Sequence, residues 1–131
     1  MKVMALDFGS ARTGVAVSDP TGLIARPLCV VERAASEDGL AELARLVREQ
    51  EPEQVVVGLP LTLRGERGEQ ARATERFTDA LRAMLDVPVL LFDERFTTDL
   101  AQQTSSSSPE DARAAAHLLS GYLAWSSGAP A

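Results

Sequence analysis

The sequence predicts an α/β protein with a central mixed five-stranded sheet, its elements in the order β-β-β-α-β-α-β-α. Three observations predict it. Nearly continuous apolar runs at 3–8, 54–59 and 87–92 have the length and Val/Leu content of buried strands. Two stretches with apolar residues at helical spacing, starting near Ser36 and Gly68, lie between those runs. Helical crossovers make the three strands parallel, so their carboxyl ends share the sheet edge at which open α/β sheets bind ligands.

Val3 to Phe8 reads as the first strand, Gly9 to Thr13 as a turn, and Gly14 to Ser18 as the second strand. Asp19-Pro20-Thr21-Gly22 carries turn residues. Leu23 to Glu32 follows as a third strand, with Pro27 placing it at an edge or a bend. These three strands form an antiparallel meander. Ser36 then caps a helix whose Leu40, Leu43, Leu46 and Val47 share one face, and Glu51-Pro52-Glu53 ends it. Gln54 to Leu59 suits the middle of a sheet. Thr62 to Glu69 is a charged, glycine-punctuated loop, and a helix from Gly68 to Leu85 should turn Phe77, Leu81 and Met84 inward. Val87 to Phe92 is the fifth strand, and Asp93-Glu94-Arg95 closes it. Gln102 to Ser108 is polar and serine-rich and is expected to be mobile. The last helix runs from Pro109 to Trp125, with Ser108 as N-cap and Pro109 at the first position. One domain is expected over 1–125, with a disordered tail at 126–131.

Composition excludes several classes. Apolar residues make up 45%, an ordinary globular value, and no apolar run approaches the ~20 residues of a membrane-spanning helix. Asp7 interrupts the start too soon for a secretion signal. Cys29 is the single cysteine, so neither an internal disulfide nor a zinc-cysteine site is expected, and a reducing cytoplasm is the default compartment. The net charge of −6 argues mildly against a nucleic-acid partner, but twelve of the thirteen basic residues are arginine, the side chain that grips phosphate with two prongs.

The acids point to chemistry. Asp7 closes the first strand, Asp93 and Glu94 the fifth, and Gly58-Leu59-Pro60 the fourth, where a bare backbone allows close approach. Asp111 has a structural explanation, since an acid in a first helical turn favours the dipole. It also begins the stripe Asp111, Ala115, Leu118, Tyr122 that faces the sheet, and Ala112, Ala114, Ala115 and Ala116 let that helix lie close. Adjacent strand residues point to opposite faces, so Asp93 and Glu94 are not expected both to bind one ion. The motif does not say which turns inward; Glu94 is taken as the stronger candidate, with Asp93 a second ligand or an anchor for a basic side chain. Converging carboxylates without cysteine suit Mg²⁺ or Mn²⁺, and paired ions about 3.5–4 Å apart support phosphodiester cleavage. His117, the lone histidine, reads as an ordinary helix residue. A rival reading takes Asp7 to Gly14 as the phosphate-cradling hairpin of actin-like and sugar-kinase ATPases, for whose two lobes the chain is short.

Asp7-Phe8-Gly9-Ser10, Gly14-Val15-Ala16-Val17-Ser18-Asp19-Pro20, Val57-Gly58-Leu59-Pro60-Leu61 with Gly65, and Asp93-Glu94-Arg95-Phe96-Thr97-Thr98 resemble the YqgF/RuvX family. Asp111 with Ala114-Ala115 and Leu118-Leu119-Ser120-Gly121-Tyr122-Leu123 is similar too. The resemblance covers nearly the whole chain and implies a ribonuclease-H-like fold related to Holliday-junction resolvases. It implies a metal-dependent nuclease maturing the 5′ end of pre-16S ribosomal RNA. The alternatives are a junction resolvase acting on DNA and a non-catalytic RNA- or ribosome-binding module. It further implies a metal site of Asp7, an acid of the Asp93-Glu94 pair and Asp111, with Arg12, Arg95, Thr97 and Thr98 near phosphate. Arg64, Arg67, Arg72 and Arg76 leave the same sheet edge and are expected to add grip on the nucleic acid. Family members usually carry a longer, basic segment where this chain has the short, uncharged 102–108. Monomer and homodimer both stay open.

Overall fold

The computed structural model of the chain describes residues 1–96 and 110–127. The expectations for Thr97, Thr98, residues 102–108, the Ser108-Pro109 helix start and tail residues 128–131 fall outside them. The elements are β1 (Val3–Asp7), β2 (Arg12–Ser18), β3 (Ala25–Glu32), α1 (Glu37–Gln50), β4 (Gln54–Leu59), α2 (Glu69–Met84), β5 (Val89–Asp93) and α3 (Glu110–Ser126), with a 3-10 turn at Glu94–Phe96. The sheet order is β3-β2-β1-β4-β5. β1 pairs antiparallel with β2 and β2 with β3, while β1, β4 and β5 run parallel.

The apolar runs are the strands buried on both faces. Val55, Val56 and Val57 of β4 are fully buried, as are Met4 and Ala5 of β1. Alternate residues of β1 serve two cores. Met4 and Leu6 pack with Leu43 and Leu46 of α1 and Phe77 and Leu81 of α2. Val3 and Ala5 pack with Ala115, Leu118 and Leu119 of α3 on the other face. Each leucine so buried contributes on the order of 1.5–3 kcal/mol. Ser36 caps α1 as expected, its Oγ accepting from the Gly39 N–H at 3.0 Å.

Some boundaries differ from the sequence reading. β2 begins at Arg12, inside the expected turn, because Arg12 pairs with Glu32 and Thr13 with Val31, an opposite-charge pair at the strand end. β3 begins at Ala25. Leu23 and Ile24 instead give their N–H groups to Asp19 Oδ1 and leave their side chains exposed. Pro27 sits on the edge strand next to a register shift, where it costs no ladder bond in the sheet interior. Met84 is 44% exposed rather than inward, being the last residue of α2 and past the sheet. Ser126 closes α3 and the Ser127 N–H bonds Leu123 O, so these two positions of the expected tail continue the helix end.

The contact that positions α3 is a backbone approach. A Cβ at Gly14 would stand 1.9 Å from the Asp111 carbonyl oxygen. The first turn of α3 rests on β2 only because residue 14 has no side chain. Gly14→Ala is therefore expected to push α3 off the sheet and cost at least about 1–3 kcal/mol by overpacking. Urea denaturation checks this. Gly68→Ser, at an N-cap with open space around it, should be neutral or slightly stabilising in the same assay.

Candidate functional site at the carboxyl edge of the sheet

Asp7 ends the central strand on the face that carries Val3 and Ala5, hence toward α3. Glycines flank it on both neighbouring strands. Gly14 of β2 is its direct partner, and Gly58 of β4 stands one step beyond the Leu6–Val57 pair. The bare surface of Gly58 is filled by Glu94, whose Oε1 would lie 2.5 Å from a Cβ at that position. The two glycines make room for an acid from the end of β5 and for the first turn of α3. Glu94 comes over the strand end because the chain leaves β5 directly into a 3-10 turn.

Four carboxyl groups interact there. Burial pushes the Glu94 carboxyl up to about 7, helped by the charge of Asp7, by the hydrogen bond it donates to Asp7 and by the charge of Asp93. Burial also raises Asp7, against the hydrogen bond from Glu94 that holds it down, and the charge of Asp111 raises it further. Near neutrality the Asp7–Glu94 pair therefore shares a proton that resides on Glu94.

Asp93 points the other way. Its carboxylate receives Arg95 Nε at 3.1 and 3.0 Å and Nη2 at 2.7 Å, plus the Arg95 backbone N–H at 2.9 Å. These bonds hold Asp93 below the usual carboxylate range. Of the two expectations for Asp93, the geometry matches the anchor of a basic side chain. The guanidinium it holds lies against Gly65 in the β4–α2 loop.

Asp111 is also partnered. Arg12 Nε stands 3.2 Å from its Oδ2, with the two side chains 64% and 40% exposed. Sequence reasoning assigned Arg12 to phosphate and left the partner of Asp111 unnamed. It also missed Gly14 as the residue that seats Asp111; the available signal was a glycine directly across from an acid at a strand end. The arginine cluster is exposed, but it is laced with acids. Arg67 pairs with Glu75 at 3.4 Å and Arg76 with Glu69 at 3.5 Å. Residues 64–76 hold four arginines and three glutamates, so the cluster nets only one positive charge. Arg64 and Arg72 are its exposed members without an ion pair to the described residues.

Among the described residues, no three of His, Cys, Asp and Glu stand grouped to hold a metal ion. The donor set nonetheless fits a hard cation. Two abutting, half-buried carboxyls hold a proton where a cation would serve, and the third acid is turned to a guanidinium. None of the helices among the described residues is long and apolar enough to cross a membrane.

The fold has solved counterparts. Thermus thermophilus RuvC in complex with a Holliday junction substrate superposes with a TM-score of 0.66 at 20% identity, covering 98% of this chain and 96% of that one. Fowlpox virus resolvase, solved with Holliday junction DNA, gives 0.52 at 13% identity over 97% and 96%. The architecture is thus the ribonuclease-H-like α/β class anticipated from the motifs. Residues 1–125 match the family model RuvX, described as Holliday junction resolvase, and the chain belongs to that family. A Chloroflexus aggregans protein named "Putative pre-16S rRNA nuclease" is 50% identical over 101 residues, 77% of this chain and 71% of that protein. A Nocardia farcinica protein of the same name is 40% identical over 136 residues, 92% and 76% of the two chains.

The raised Glu94 has a consequence for stability. Between the ordinary value of 4.5 and about 7, the folded protein retains a proton that the unfolded chain has released. Stability therefore falls as pH rises through that window in cation-free buffer. Glu94→Gln removes the buried ionisation. The variant should be more stable than the parent above pH 7, with the gap closing towards pH 4.5. Thermal unfolding in chelator-containing buffers across that range checks both statements.

Proposed function

We propose that this protein is a divalent-metal-dependent nuclease that hydrolyses phosphodiester bonds in the 5′ region of pre-16S ribosomal RNA, in the cytoplasm. The observation that carries the reading is the Asp7–Glu94 pair at the carboxyl edge, abutting, half-buried, and with Glu94 near 7. The names of the relatives supply the substrate. Asp7 and Glu94 would hold Mg²⁺ or Mn²⁺, with Asp111 completing the set. When bound, such an ion activates water and stabilises the leaving oxygen. Asp7 and Glu94 release their shared proton to become its ligands. Arg64 and Arg72, exposed on the loop and helix that follow β4, would neutralise phosphate, Arg67 joins them from a weak surface pair, and Arg95 positions the β4–α2 loop through its hold by Asp93. Thr97 and Thr98 follow in the same motif and are assigned to substrate on that ground.

A second reading, cleavage of four-way DNA junctions, is favoured by the family description and by the two junction-bound structures that share the fold. Matched pre-16S RNA and four-way DNA substrates, each with Mn²⁺ or Mg²⁺, decide between the two. RNA cleavage is expected to dominate. Cleavage of the DNA junction alone would reverse the assignment, and cleavage of neither would leave a non-catalytic RNA- or ribosome-binding module.

Asp7→Asn keeps the shape and removes a charge, so cleavage should fall at least ~10²-fold. Glu94→Gln should approach that loss. Asp93→Asn should lose less, because it loosens Arg95 rather than removing a ligand. Equal losses at positions 93 and 94 in folded proteins would contradict this division. Arg64→Ala with Arg67→Ala should weaken binding to all sequences alike and flatten its salt dependence by roughly one unit of slope per lost contact. Titrations at several salt concentrations read this directly.

A further inference from the structure

The ion pair between Arg12 and Asp111 has the form of a placeholder. It is made through a single contact, Nε to Oδ2 at 3.2 Å, between side chains that are both substantially exposed. Exposed pairs of this kind contribute little to stability and exchange readily. The backbone on each side is fixed. Asp111 sits with its carbonyl against Gly14. Arg12 begins β2 opposite Glu32, and its turn is tied by the Arg33 N–H bonding Ala11 O at 2.9 Å. Only the two side chains need turn for the pair to open. Asp111 is already close enough to Asp7 for its charge to be felt there.

We propose that Arg12 is the internal counter-ion of Asp111 in the cation-free protein. It yields Asp111 to a divalent cation held by Asp7 and Glu94, and the freed guanidinium then turns to a phosphate oxygen of the nucleic acid. The inference rests on the metal-dependent reading above. It explains why three acids at one edge are not grouped as a cation cage among the described residues: one is held by an arginine at the same edge. The Arg95–Asp93 pair supplies the contrast. Its fork-to-carboxylate contacts and its largely buried acid, 16% exposed, make it a fixed brace. Cation and nucleic acid should then bind cooperatively, since each frees or occupies what the other needs.

The test uses the metal alone, without nucleic acid. In the parent, the Arg12 Nε–H NMR signal should shift on Mg²⁺ titration with the same half-saturation that calorimetry gives for Mg²⁺ binding. Arg12→Gln should bind Mn²⁺ about twofold to fivefold more tightly by electron paramagnetic resonance, the range set by a half-exposed ion pair. In an Asp111→Asn background the same change at Arg12 should have little effect, because the competitor then has nothing to release. Mg²⁺ binding with an unmoved Arg12 signal would overturn the inference and leave the metal site standing. An equal gain from Arg12→Gln in both backgrounds would also overturn it, showing only a general charge effect. If the parent binds neither cation at millimolar concentration, the metal-dependent reading itself fails and takes the inference with it.

Discussion

Strand β1 is where the two halves of the molecule meet, and most of the architecture depends on its double burial. It pairs antiparallel on one side and parallel on the other, while its alternate residues enter two separate cores. A strand so placed has no exposed face on which to carry a charge. Asp7 is tolerated because it is the last residue, where the neighbouring strands offer glycines instead of side chains. The carboxyl is therefore half-buried beside two other acids rather than solvated. The desolvation that raises Asp7 and Glu94 is a direct result of that position.

The acids at this edge are held in three different ways, and the differences follow from backbone direction. Glu94 falls on the α3 side and meets Asp7. Asp93, its neighbour in the chain, falls on the opposite side and is bound by the side chain two residues later. Asp111 arrives on a separate element, and its backbone is pinned by Gly14 while its side chain stays half-exposed. Two of the four acids are thus matched by arginines, and the remaining two by a shared proton. A site of this kind is balanced without an external ion yet remains able to accept one.

Much of this was legible in the sequence because it rests on short-range signals. Apolar runs, the Ser36 cap and the crossover rule were enough for strand direction and for the shared edge. Period-two alternation was enough to say that Asp93 and Glu94 part company, but which of them turns to Asp7 became legible only from the structure, where Arg95 takes Asp93 and Glu94 fills the space beside Gly58. Boundaries were less legible where tertiary pairing decides them. Arg12 reads as part of a turn until Glu32 is known to lie across from it. Leu23 and Ile24 read as strand until Asp19 is seen to take their N–H groups. The Arg12–Asp111 pair was not legible at all. It joins residues 99 positions apart, and only the absence of a side chain at Gly14 brings their elements together.

Charge distribution reconciles an acidic chain with a polyanionic substrate. Between 37 and 53 the chain holds six acids (Glu37, Asp38, Glu42, Glu49, Glu51, Glu53) against two arginines (Arg45, Arg48), a local balance of −4 out of a total of −6. Helix α1, which carries most of them, packs on the face of the sheet opposite α3. Two thirds of the net charge thus lies on and around the helix that does not cover the site, where solvent and salt screen it. At the carboxyl edge itself, Asp7, Asp93 and Asp111 face Arg12 and Arg95, Glu32 stands across from Arg12 with Arg33 next to it in the chain, and burial keeps Glu94 partly protonated near neutrality. That leaves a small negative excess, with Arg64 and Arg72 exposed on the loop and helix that follow β4. The divalent cation of the proposed function would more than offset this excess. With such an ion in place the edge would change from weakly repelling phosphate to attracting it, and the sign of the local field, rather than that of the whole protein, would govern the encounter.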